Sequence, residues 1–98
     1  MSFSVEEALR EIDAIESIIR PYEYYTTDAA NALRMLTTMK NLLREMNKEN
    51  LEKALDLIKS LEDLGSMYRG YEPVEEASIH LSRLRNILKK YKDDKRMN

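Results

Sequence analysis

Residues 29–46, AANALRMLTTMKNLLREM, constrain this chain more than any other stretch, because they carry too many apolar positions for one side of a surface helix. At about 100° per residue, Ala32, Leu33, Leu36 and Leu43 fall along one edge of a helical face, and Met35, Met39, Leu42 and Met46 fall along the other. Together they cover an arc of about 180°, against the roughly 100° stripe that an amphipathic surface helix needs. Both halves require a cover. Either this helix touches two or more helices of its own bundle, or part of its face meets another molecule.

The rest of the chain supplies candidate partners. An S-x-x-E capping box, Ser4 with Glu7, opens a first helix over 5–20, whose stripe is Val5, Ala8, Leu9, Ile12, Ile15 and Ile19. Glu6 with Arg10 and Glu16 with Arg20 have the i,i+4 spacing of stabilising pairs. Pro21 ends or kinks this helix, since it breaks the hydrogen-bond ladder and disfavours helical geometry at Arg20. Thr26 or Thr27 then caps a second helix over 28–46, with Asp28 in the first turn, where a carboxylate suits the helix dipole.

The leucine repeat slips by one residue after Leu43. Its register would reach Asn50, but the apolar positions resume at Leu51, Leu55, Ile58 and Leu61. The slip predicts a tight turn, with Asn47 capping a third helix over 48–64; the alternative is a three-helix chain in which helices 2 and 3 fuse. Gly65 or Gly70 stops the third helix. Pro73 starts a fourth helix over 74–92, whose repeat Val74, Ala77, Leu81, Leu84, Leu88, Tyr91 is heptad-like. A polar tail, 93–98, follows. The expected fold is a single all-α domain over 1–98, an antiparallel up-down-up-down four-helix bundle.

That topology gathers side chains distant in sequence. The links between helices 1 and 2 and between helices 3 and 4 emerge at one end, bringing together Tyr22, Tyr24, Tyr25, Tyr68 and Tyr71 beside Arg20 and Arg69. Tyrosine and arginine dominate binding hot spots. These residues are therefore candidates for contacting a partner, although tyrosines also close the open end of a small core. Met35, Met39 and Met46 form a second candidate surface, methionine being adaptable at interfaces and equally at home in core gaps. A third candidate is the stripe Arg85, Lys89, Lys92 and Arg96, which would suit an acidic protein or nucleic acid, though cations at a helix C-terminus also follow from the dipole alone. Helix 1 is its opposite in sign: residues 1–25 hold six acids against two arginines. Helices 1 and 4 are thus complementary within one bundle or between two copies.

Composition removes many function classes. At 43% apolar and 35% charged, with two Gly and two Pro, the chain is neither disordered nor turn-rich. Without cysteine it has no disulfide or thiolate metal site, and its net charge of −2 gives no general affinity for nucleic acid. No apolar run approaches the roughly 20 residues that span a bilayer, and no secretory leader precedes Glu6, so a cytoplasmic protein is expected. A di-iron bundle needs Glu-x-x-His twice, yet the only histidine is His80, three residues after Ala77. Residues 8–16, ALREIDAIE, resemble the opening helix of the small all-helical chorismate mutases. That family then places further cations at set spacing, whereas Thr27 stands 17 positions after Arg10 and the later ligands have no counterpart, so no family is assigned.

No acid, base and nucleophile set converges. The expected function is non-enzymatic and without cofactor: a protein–protein interaction module, an accessory or adaptor subunit of a larger complex. The alternatives are a self-associating homodimer built on the wide helix 2 face, and an accessory factor of a nucleic-acid-processing enzyme using the helix 4 stripe.

Overall fold

A computed structural model describes the backbone of residues 5–97 and the side chains of 5–94. The Ser4–Glu7 capping box and the Arg96 side chain lie outside the described residues. Four helices account for nearly all of the rest: α1 (Val5–Ile19), α2 (Thr27–Leu43), α3 (Lys48–Ser66) and α4 (Glu72–Met97), with a single 3-10 turn, Arg20–Tyr22, after α1. There is no strand among the described residues.

Each helix packs on its chain neighbours, and α4 closes the ring on α1, making a four-helix bundle of 45 × 22 × 20 Å. The α1–α4 seam is the most extensive and the α1–α2 seam the least. Helix 2 therefore has two neighbours within its own chain, α1 and α3, and these account for its wide apolar face. Ala32, Leu33, Leu36, Met39 and Leu43 are buried, while Met35, Leu42 and Met46 are half-buried against the same core.

The three-helix alternative does not hold, because α2 stops at Leu43. Asn47 caps α3 by accepting a hydrogen bond from Asn50 N at 2.8 Å. Asn50 Nδ2 in turn donates to Leu42 O at 3.2 Å and Glu45 O at 2.6 Å, tying the first turn of α3 back to the end of α2 and the turn beyond it. The second helix thus ends three residues earlier than its apolar pattern indicates, because Met46 joins the core from the turn.

At the other links, Thr26 Oγ1 caps α2 by accepting from Ala29 N at 2.9 Å. Pro21 sits inside the 3-10 turn, where it interrupts the ladder without stopping the chain from coiling once more. Helix 3 passes Gly65 and ends one residue later. The turn is made at Gly70, the one residue with positive φ (97°) among those described, whose N–H donates to Glu75 Oε2 at 3.1 Å. Helix 4 starts at Glu72, two residues earlier than the repeat indicates, with Pro73 in its first turn, and runs on to Met97, so that 93–97 continue the helix where the sequence indicates a polar tail.

Three seams carry charged contacts. Lys40 Nζ on α2 lies 2.7 Å from Glu16 Oε1 and 3.0 Å from Asp13 Oδ1 on α1. Glu16, a buried charged residue, thus turns inward to Lys40 instead of pairing with Arg20, which lies beside Glu23. His80 Nδ1 on α4 lies 2.7 Å from Glu11 Oε1 on α1. Arg85 on α4 pairs with Glu62 on α3.

Candidate functional site

Small residues thin the core at one end of the bundle. Helix 2 opens with Ala29 and Ala32 before its run of leucines; α3 closes on Leu64 and Gly65; α4 opens with Val74, Ala77 and Ser78 before Leu81, Leu84 and Leu88. Toward the middle and the far end the same helices bury Leu36, Met39, Leu43, Ile58, Leu84 and Leu88 completely. Where the small residues face one another the four helices cannot meet. They leave a cleft of about 390 Å³, open at the mouth, within the roughly 300–1,000 Å³ typical of ligand sites. Ile15, Ile18 and Ile19 from α1, Ala29 and Ala32 from α2, Leu61 and Leu64 from α3, and Val74, Ala77 and Leu81 from α4 make its apolar wall.

The two tyrosine-bearing links form the mouth. Tyr22, Tyr68 and Tyr71 line it. The Tyr68 ring lies against Tyr71, with centroids 6.3 Å apart and planes tilted by 41°. The Tyr68 hydroxyl donates to Asp28 Oδ2, which ties the α3–α4 link to the first turn of α2. That bond raises the Tyr68 pKa, because the accepting carboxylate favours the protonated phenol; desolvation adds to the shift. Tyr24 and Tyr25 stand outside the cleft, 92% and 81% exposed, and Arg69 is also exposed. A shallower groove adjoins the cleft and shares Ile18, Tyr22 and Pro73 with it; its remaining walls are Ser17, Pro21, Glu72 and Glu76.

Among the described residues, five of the exposed large apolar side chains lie on the links at this end, Tyr22, Tyr24, Tyr25, Met67 and Tyr71, and Ile79 is exposed on α4. The five tyrosines lie on the two links at one end, as the bundle topology predicts. The structure divides them between cleft wall and open rim, and adds Met67 and the cleft itself. The signal for the cleft is present in the sequence, as the alanines and glycine at matching ends of α2, α3 and α4. It becomes legible only once the helices are aligned.

The other candidate surfaces fare differently. Met39 is fully buried, so it presents nothing to a partner, and Met35 and Met46 are half-buried on the core edge. The helix 4 stripe is not a continuous free surface: Arg85 is engaged with Glu62, Lys92 is half-buried, and Lys89 is exposed. Helices 1 and 4 are neighbours, as their opposite charges suggest, but the polar contact between them runs through His80 and Glu11.

The cleft holds little that could act on a bond. Asp28 is bonded to Tyr68, and the Thr26 hydroxyl is occupied in capping α2. No group of three His, Cys, Asp or Glu that could hold a metal ion occurs among the described residues, and none of their helices is long and apolar enough to cross a membrane. The fold and site define a four-helix bundle with an open apolar cleft at one end. Compared with known proteins, the chain matches no family model, no curated protein and no solved structure.

Proposed function

We propose that this chain is a non-enzymatic interaction module, a small accessory or adaptor subunit that docks on a larger protein through its tyrosine-rich end. One observation carries the reading: the apolar cleft opens at the same end where Tyr22, Tyr24, Tyr25, Met67 and Tyr71 are exposed. Clustered exposed apolar surface marks interaction sites, whereas scattered single residues do not. Aromatic side chains also supply large contact area at low entropic cost. The position of Met39 in the core and the engagement of Arg85 by Glu62 leave the methionine edge and the basic stripe as weaker supports.

The test is a comparison between the natural chain and the Tyr24→Ala/Tyr71→Ala variant. Both residues are exposed, so the variant keeps its melting temperature. Proteins cross-linked to the natural chain in its host's lysate are expected to disappear from the variant's lane. Unchanged capture by a variant that is fully folded refutes docking at this end.

A further inference from the structure

The chemistry at the mouth indicates what kind of partner enters. Within 17–31 and 63–79, the segments that build this end, Glu23, Asp28, Asp63, Glu72, Glu75 and Glu76 stand against Arg20 and Arg69. Several of these charges are already engaged: Asp28 by Tyr68, Glu75 by Gly70 N, and Glu23 by Arg20 at 3.9 Å. Glu72 and Glu76 are exposed and flank the groove that opens directly off the apolar cleft. An apolar chamber thus adjoins a groove with two free carboxylates, and the two share the Tyr22 and Pro73 walls.

We infer that the docking segment is a cationic amphipathic helix of a different protein, with bulky apolar side chains entering the cleft and a lysine or arginine on the same segment lying between Glu72 and Glu76. This rests on the docking reading above and names the partner's chemistry. A helix laid in a groove presents apolar anchors on one face and charged neighbours beside them, which matches the cleft and its flanking carboxylates. Electrostatic complementarity of this kind sets specificity and encounter rate. A second copy apposed end to end across a two-fold axis would bring Glu72 and Glu76 toward their own equivalents, a like-charge arrangement. A small apolar molecule confined to the cleft would leave Tyr24, Tyr25 and Met67 uncovered.

Two fluorescein-labelled synthetic peptides test this against the full chain by anisotropy: an amphipathic helix of leucine and lysine, and its twin with every lysine replaced by glutamate. The lysine peptide is expected to bind at least about tenfold more tightly than its twin at low salt. Glu72→Lys/Glu76→Lys should remove that preference, while Glu52→Lys/Asp56→Lys, an equal charge change on the exposed face of α3, should leave it. Gly65→Leu places a side chain in the cleft wall and should weaken both peptides; Ser78→Leu on the facing helix serves the same purpose should Gly65→Leu unfold by circular dichroism. If both peptides bind equally and both are lost with the cleft variant, the cationic partner is wrong while docking at this end stands. Equal losses from the two charge-reversal variants also overturn it, since the attraction is then general. If neither peptide binds but the neutral dye N-phenyl-1-naphthylamine titrates to one equivalent and is displaced by Gly65→Leu, the cleft is a small-molecule site and both readings fall. A molar mass that rises with protein concentration, and that the lysine peptide does not reverse, makes the occupant a second copy and overturns the inference.

Discussion

Replacing Lys40 by methionine tests the joint that holds α1 and α2 together beneath the cleft. Lys40 is the shared partner of Asp13 and Glu16, on the least extensive of the four helix seams. Methionine keeps much of the aliphatic stem but leaves the Glu16 side chain, 10% exposed, with a buried charge and no cation. Breaking a fully buried pair in this way costs roughly 3–5 kcal/mol. Here the Lys40 side chain is 30% exposed and Asp13 63%, so water already screens part of the interaction. We therefore expect a loss of about 2 kcal/mol. For a chain of this length that corresponds to a fall in melting temperature of about 8–16 °C.

Replacing both partners, Glu16→Met with Lys40→Met, removes the stranded charge and should return stability to within about 1 kcal/mol of the natural chain. The pH dependence gives an independent check. The hydrogen bond to Glu16, then that to Asp13, raises the Lys40 pKa above its ordinary 10.5. The stabilisation is therefore complete below the unfolded lysine's pKa and is lost as pH climbs through the higher folded value. Urea unfolding followed by far-ultraviolet circular dichroism measures both effects. A Lys40→Met chain within about 0.5 kcal/mol of the natural one would refute the clamp, as would a double variant less stable than the single.

Three further outcomes are expected. Ala77→Leu adds apolar volume where the cleft is widest in small residues, and should gain about 1 kcal/mol in thermal or urea unfolding while weakening anything that docks there. The two glycines should respond oppositely to alanine. A Cβ at Gly65 meets Val74 at 3.8 Å and Ser78 at 3.9 Å, ordinary contacts, so Gly65→Ala should stabilise by about 0.5–1 kcal/mol. Gly70→Ala, at φ 97°, should cost about 1–2 kcal/mol, and urea midpoints of the two variants check the pair. In an ultraviolet titration, Tyr68 should ionise late, since Asp28 holds its proton. Its contribution to stability is present below the unfolded tyrosine's pKa and fades as pH rises through the folded one, and Tyr68→Phe should remove the late step.

Periodicity made the helices legible, and the one-residue slip between Leu43 and Leu51 marked the break between the second and third. The caps were legible as well, because Thr26 and Asn47 are short polar side chains directly before an apolar repeat. What sequence reasoning missed is tertiary in origin. Glu16 has an i,i+4 partner in Arg20, but it bonds Lys40, 24 residues away, because its position on α1 faces the seam and not the solvent. Asn50 interrupts the leucine register and so reads as a flaw in a stripe; its side chain closes the turn by reaching back to α2. Met39 is ambiguous in the sequence because the same adaptable side chain suits a core gap and an interface, and only the presence of α1 and α3 on both sides of helix 2 decides between them.

The cleft follows from a choice of residue sizes, and that choice opposes stability. Four-helix bundles gain most from continuous large apolar layers, and α2 and α4 supply them from Leu33 to Leu43 and from Leu81 to Leu88. Their first two turns break the pattern with Ala29, Ala32 and Ala77, where leucines on the same faces would fill the gap. The chain thus keeps its stability in the middle and far end of the bundle, where Met39, Leu43 and Leu88 are fully enclosed. It leaves the tyrosine end underfilled but braced: Tyr68 is tied to Asp28 across the mouth, Glu75 holds the Gly70 turn, and Lys40 joins α1 to α2 below. A simple packing defect would gain nothing from such bracing, since collapse of the walls would reduce its cost. Cross-links around an apolar opening are what the proposed docking site would need, since a mouth ordered in advance limits the ordering cost on binding.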